Sequence, residues 1–213
     1  MSWFYYLCKP PVQLFFAIFT RWRVHGRENI PRKGPVLVVS NHMTFAEPPV
    51  LSILLRRPSR FATKEGFFRF RPLGWVLSSW GAIPVHPGRA DRSDIRRMEE
   101  HLNKGEAVAI FPEGTRSREG GLLPALGGAA LIARRTDALI LPVGVTGTER
   151  MKHMGWLRRP VITIRFGKPF HVPRGDGKQE REATTRLIMQ RVRDLLPREY
   201  HGAYGEQDQN AKP

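Results

Sequence analysis

His42 and Glu47 stand at either end of the stretch His-Met-Thr-Phe-Ala-Glu, which follows an apolar run, Val36 to Val39, broken by Ser40 and Asn41. An imidazole held by a carboxylate can take a proton from a hydroxyl, while the acid fixes the ring tautomer and stabilises the cation that forms. The same spacing fits a plainer reading, a turn histidine followed by a glutamate that favours a helix N-terminus. Pro48 offers the fixed φ of a first helical turn, so the pair brackets a strand-to-helix turn. In open α/β sheets, ligands collect at that edge. Zinc fits less well: His25, His86, His101, His153, His171 and His201 are scattered without ligand spacing, and no His-Glu-x-x-His occurs.

A second polar group closes another apolar run. Residues 106–111 read as a strand and lead into Pro112-Glu113-Gly114-Thr115-Arg116-Ser117. Gly114 lets backbone approach a ligand closely. Arg116 carries a planar fork of donors matched to phosphate oxygens, with the Thr115 and Ser117 hydroxyls beside it. By themselves these residues suit either a phosphate site or an ordinary surface turn.

The elements that must position these groups alternate. Residues 36–39 and 106–111 have the apolar, β-branched character of buried strands, as do the shorter runs 60–63 and 81–85 and the later 139–147 and 160–170. Between them, helices are expected over 48–55, over 91–103 (capped by Asp91 or Ser93, with Ile95, Met98 and Leu102 at helical spacing), over 126–133 and over 179–196. Residues 67–79 are aromatic with basic interruptions and suit either a core helix or a face against an acyl chain. The expected fold is α/β, a largely parallel mixed sheet flanked by helices. Three regions are expected: an N-terminal membrane-interface segment at 1–23, one domain at 24–196 and a loose polar tail at 197–213.

The chain has 213 residues with 35 Lys and Arg against 19 Asp and Glu, a net charge of +16. That surplus points to an anionic partner. No RNA-recognition signature, zinc finger or helix-turn-helix is present, so nucleic acid is not expected. The single cysteine, Cys8, rules out an intrachain disulfide. At the N-terminus, aromatics and aliphatics are interrupted by Lys9, Pro10, Pro11 and Gln13 and followed by Arg21 and Arg23. Spanning a bilayer takes ~20 consecutive apolar residues. The segment instead suits the headgroup boundary, or an amphipathic helix packed on the domain. No cleavage site follows a basic start, so a signal peptide is not expected.

Asn41-His42-x4-Glu47, Phe111-Pro-Glu-Gly-Thr-Arg-Ser117 and Leu141-Pro-Val-Gly-Val-Thr-Gly147, in this order and at these separations, resemble the glycerolipid acyltransferase family, that of the 1-acylglycerol-3-phosphate acyltransferases. The resemblance covers roughly residues 24–170, with 64–68 and 72–75 resembling a further block. It implies acyl transfer from acyl-CoA or acyl-carrier protein to a lysophospholipid hydroxyl, with His42 as base and Glu47 as its carboxylate. Glu113, Gly114, Thr115 and Arg116 match the block that holds the acceptor phosphate, and Lys64 matches a basic position near the acceptor. The resemblance implies direct transfer without an acyl-enzyme and no metal or organic cofactor. It also implies a peripheral or monotopic protein at the cytoplasmic face of the cell membrane, on an anionic lipid surface. There are two departures: Glu47 stands where the family most often has Asp, and the basic residue usual after the third strand is replaced by His86-Pro87-Gly88-Arg89, with Arg89 two residues late. Other lipid hydroxyls as acceptor, or a non-catalytic lipid-binding protein on the same fold, are the alternatives.

Overall fold

The computed structural model describes residues 3–205 apart from 56, 87–90, 152–154 and 176. Seven strands form one sheet: β1 (Arg21–His25), β2 (Val36–Ser40), β3 (Ser59–Lys64), β4 (Ala82–Val85), β5 (Ala107–Ile110), β6 (Leu139–Thr146) and β7 (Val161–Phe166). Their spatial order is β1-β7-β6-β2-β5-β3-β4. All neighbours pair parallel except β6 and β7, which are antiparallel. The sheet is therefore the expected largely parallel mixed one.

The helices are α1 (Trp3–Phe19), α2 (Glu47–Leu54), α3 (Arg71–Trp80), α4 (Arg92–Asn103), α5 (Gly128–Arg135) and α6 (Lys178–Arg193). Strand alternation sorts them into two layers. On β2, Val36 and Val38 join one core cluster, with Val50, Leu51, Ile53 and Leu54 of α2 and Phe16 of α1. Leu37 and Val39 join the other, with Ile95, Met98 and Leu102 of α4, Ile132 of α5 and Ile188 of α6. Period-two side chains buried on both faces are what a central parallel strand requires, and every residue of β2 is buried.

β1 is the strand that pattern reading left out. Arg21, Arg23 and His25 are exposed and only Trp22 and Val24 turn inward, so five residues of edge strand read as a cationic flank. The sheet thus begins at Arg21, inside the segment expected to end at residue 23. Helix α1 continues through Pro10 and Pro11 and ties itself to the end of α2. Tyr5 Oη donates to the Ser52 carbonyl at 3.1 Å, Lys9 Nζ to that of Leu55 at 3.3 Å and Gln13 Nε2 to that of Ile53 at 3.4 Å. Those are last-turn carbonyls with no partner inside their own helix, and a lysine there also meets the negative end of the helix dipole. Among the described residues no helix is long and apolar enough to cross a membrane. Residues 197–205 of the expected tail pack against the domain. Two 3-10 turns, Arg198–Tyr200 and Gly202–Tyr204, bracket Leu122, whose N–H donates to Tyr200 O and whose carbonyl accepts from Ala203 N–H, both at 2.9 Å.

Beyond β2, Asn41 straps the sheet where β6 swings toward β7. Its Nδ2 donates to Val145 O and its Oδ1 accepts from Val145 N–H, both at 2.8 Å, and the side chain is buried. Asn41→Leu leaves both Val145 backbone groups without partners. It is expected to cost about 2–4 kcal/mol of stability in urea denaturation, whereas an unchanged midpoint would show that Val145 finds other partners.

Candidate functional site

β2 and β5 lie side by side in register, Val39 opposite Ile110, so the turns that follow them meet at one edge of the sheet. His42 follows the first and residues 111–117 follow the second. They are stitched together: Ser117 N–H donates to His42 O at 2.8 Å, and His42 N–H donates to Glu113 Oε1 at 2.9 Å.

The imidazole is held at one edge and on one face. Its Nδ1 lies 2.9 Å from Glu47 Oε2. That carboxylate accepts at Nδ1, so the ring carries its proton there and keeps an Nε2 lone pair. Phe111 stacks on the ring face, centroids 4.1 Å apart and planes 21° from parallel, an arrangement that also favours the ring when it is charged. The side chain of His42 is 16% exposed, while that of Glu47 is fully buried.

Glu47 is the first residue of α2, and its carboxylate folds back over the turn that precedes it. Oε2 also accepts from the N–H groups of Thr44 (2.7 Å) and Met43 (3.2 Å). Oε1 accepts from Thr44 Oγ1 at 2.9 Å and from the buried hydroxyl of Thr148, just beyond β6. Burying a carboxylate is costly unless its lone pairs are filled, and here two hydroxyls, two amides and an imidazole fill them.

Glu113 has a different place from the one the motif implied. It is 3% exposed, with Oε1 on His42 N–H and Oε2 accepting from Leu123 N–H at 2.8 Å. It therefore fixes the backbone under the catalytic candidate and does not border the cavity. Burial pushes its pKa from 4.5 up to about 7, with the Glu47 charge adding to the rise and the two backbone donors opposing it. Ser117 is likewise buried, and its hydroxyl finds no hydrogen-bond partner among the described residues.

The cavity in front of His42 is about 460 Å³. Lys64, Thr115, Arg116 and Arg118 border it on the polar side, and Ile95, Met98, Ile110 and Ile132 line its apolar depth. Arg116 lies with its guanidinium carbon 3.7 Å from the centre of the Phe45 ring. Gly114, at φ 66°, faces Leu126 Cδ1 so closely that a Cβ would collide with it. Structure thus brings together His42, Glu47, Lys64, Gly114, Thr115 and Arg116, sets Glu113 behind them, and leaves Arg89 outside the described residues. Thr44, Thr148, Phe111 and Arg118 were not singled out for the site by sequence. Thr148 stands one residue past the quoted 141–147 block, the only signal that could have pointed to it.

One further polar group borders the cavity. His86, Asp91 and Asp94 offer atoms within 4.8 Å of one another. They are committed to protein partners: His86 Nδ1 to Asp94 at 3.3 Å, His86 Nε2 to Glu65 at 3.0 Å, and Asp91 Oδ1 to the Ser93 N–H at the start of α4.

Fold and site together define an α/β protein that holds an imidazole and a carboxylate at the carboxyl edge of its sheet. The chain belongs to the acyltransferase family, whose model matches residues 21–146. It is 31% identical over 164 residues to a chloroplastic 1-acyl-sn-glycerol-3-phosphate acyltransferase of Arabidopsis thaliana, covering 74% of this chain and 46% of the relative. This chain therefore spans about half the length of that plant relative. A 1-acyl-sn-glycerol-3-phosphate acyltransferase of Bacillus subtilis is 24% identical over 195 residues, covering 90% of this chain and 96% of the relative. Among solved structures, the 1-acyl-sn-glycerophosphate acyltransferase PlsC of Thermotoga maritima superposes with a TM-score of 0.67 at 26% identity, covering 88% of this chain and 79% of that one.

Two substitutions test this geometry. Thr148→Val keeps shape but removes a hydroxyl from a buried carboxylate. It is expected to cost about 1–3 kcal/mol in denaturant unfolding, with Thr148→Ser restoring most of the loss. Equal stability of the Val variant and wild type would show that Thr148 does not hold Glu47. For Glu113, the unfolded chain releases its proton near 4.5 and the folded chain near 7, so this group's contribution to stability falls as pH rises between those values and is level above them. Glu113→Gln has no such proton. The unfolding free energy of wild type relative to this variant should fall by on the order of 3 kcal/mol between those pH values and then stay constant. A pH-independent difference would exclude the raised pKa.

Proposed function

We propose that this protein transfers a fatty acyl group from acyl-CoA or acyl-carrier protein to the sn-2 hydroxyl of 1-acylglycerol 3-phosphate, giving phosphatidate. The observation that carries the reading is His42, tied at Nδ1 to the buried Glu47 and bordering a cavity with cations on one side and apolar residues within. Family membership and the relatives named above support the reaction class.

In this reading the acceptor phosphate meets Arg116 and Lys64, with Thr115 beside them. The acceptor hydroxyl lies at His42 Nε2. Its oxygen attacks the thioester carbonyl carbon as Nε2 takes the proton. Glu47 stabilises the imidazolium, and Phe111 offers its ring face to the charge. The tetrahedral centre then collapses, the C–S bond breaks, and the same proton passes from His42 to the departing thiolate. One histidine thus serves as base and then as acid, with no acyl-enzyme and no metal or organic cofactor. General-base assistance of this kind is typically worth 10²- to 10⁴-fold, or about 3–5 kcal/mol. Glu113 acts through the backbone, holding His42 in place for both steps.

The protein is further proposed to sit peripherally on an anionic membrane surface at the cytoplasmic face. Tyr6, Leu7, Leu14, Phe15 and Ile18 on α1 are each at least 44% exposed, a large apolar face for a soluble helix.

The test is thiol release from purified protein given acyl-CoA or acyl-carrier protein, with lysophosphatidate and with lysolipids of other head groups in parallel. Wild type is expected to release thiol with lysophosphatidate, and His42→Ala to lose at least a hundredfold with lipid binding intact. Lipid binding without thiol release from any donor and acceptor pair would instead identify a non-catalytic lipid-binding protein.

A further inference from the structure

Between β3 and β4 the chain leaves aromatic surface in water. Phe70 is 67% exposed and Trp75 58%, with Phe67, Leu73 and Val76 each exposed above a third. Arg69 and Arg71, interleaved with them, are exposed as well. The arrangement is fixed by packing. The 3-10 turn Glu65–Phe68 lies so close to α3 that a Cβ on Gly74 would come within 2.8 Å of the Phe68 carbonyl oxygen. Gly74 is also the one buried residue of α3.

This face joins two others. Toward the site, Phe67 borders the cavity and meets Phe45 edge-on at 5.8 Å, and Phe45 is the ring under Arg116. Toward the N-terminus, α1 packs on α3, with Tyr5 edge-on to Trp80 at 6.3 Å. The exposed residues Leu7, Leu14 and Ile18 of α1 recur at spacings that return to one side of a helix. Exposed apolar surface of this kind marks a contact with something else.

We infer that the aromatic and arginine face of residues 67–76 is a second membrane contact, separate from α1, which lays the mouth of the cavity against an anionic lipid surface. Rings and guanidinium groups in alternation match the headgroup boundary, where the rings reach the acyl layer and the cations stay with the phosphates. Each basic residue near acidic lipid adds to attraction that the net charge of +16 already provides. The adjoining cavity gives this contact a use, which rests on the proposed function: a lysolipid acceptor leaving the bilayer passes Phe67 and Phe45 and enters along the rim without crossing water.

The test pairs vesicle sedimentation of the full chain with two transfer assays, one on lysophosphatidate embedded in phosphatidylglycerol-containing vesicles and one on a short-chain lysophosphatidate dissolved as monomer. Phe70→Asp/Trp75→Asp is expected to weaken vesicle partition at least tenfold and to slow transfer to the embedded acceptor in parallel, with transfer to the monomeric acceptor and the melting temperature unchanged. Arg69→Glu/Arg71→Glu should weaken partition on anionic vesicles and leave the weaker partition on neutral vesicles as it was. Wild-type partition retained by both variants would overturn the inference and leave α1 as the sole anchor. So would a lipid-free dimer of the wild type that the Phe70/Trp75 variant abolishes, since the face would then cover a second copy. Absence of thiol release by wild type would count against the acyltransferase reading alone, because partition reports the contact without it.

Discussion

A carboxylate with no exposure to water, Glu47, is the constraint from which the local architecture follows. An ionised group so placed persists only where donors replace its hydration. Those donors come from two places: the turn after β2, which supplies the His42 ring, the Met43 and Thr44 amides and the Thr44 hydroxyl, and, from a hundred residues further on, Thr148. The chain beyond β6 must therefore return to the end of β2, and Asn41, bonded to Val145, holds it there. At its other end α2 is held by α1 through Tyr5, Lys9 and Gln13. The helix that begins with the carboxylate is thus fixed at both termini.

His42 is served by two acids with opposite duties. Glu47 accepts from the ring and Glu113 from the backbone of the same residue. Five donors surround Glu47, whereas Glu113 has two backbone donors, burial and a neighbouring negative charge. Burial is the main reason that Glu113 holds its proton to about 7, with its two backbone donors opposing the rise and the Glu47 charge adding to it. Freezing both the ring and its own peptide matters because misplacement by an ångström at a reacting centre is worth on the order of a hundredfold in rate.

Much of this could be read from residue order. The alternation of apolar runs and helical spacings specifies the layered sheet, because a strand buried on both faces has few other homes than the middle of a parallel sheet. His42 and Glu47, read from spacing, and Lys64 and Arg116, whose roles the resemblance implied, come together around one cavity. Other features depend on contacts between distant segments and have no local signature. Glu113 sits in a motif that suggests ligand contact, yet its direction is set by Leu123 and the His42 peptide. β1 has only two inward residues, Trp22 and Val24, and gains its place from register with β7. The stretch 67–79, open between core helix and lipid-facing surface, resolves into a 3-10 turn and a helix with one buried residue.

The glutamate at position 47 has its own structural logic. An aspartate there, the residue the family resemblance led one to expect, would be shorter by one carbon–carbon bond of about 1.5 Å. With the backbone as it is, its oxygens would fall short of the positions that the glutamate oxygens hold between His42, Thr44 and Thr148. The extra methylene lets one oxygen take the ring and two amides while the other takes two hydroxyls. The far oxygen of the longer acid needs donors, and the hydroxyl of Thr148 beyond β6 supplies one. The departure from the usual residue extends the anchoring of the imidazole across the sheet to β6.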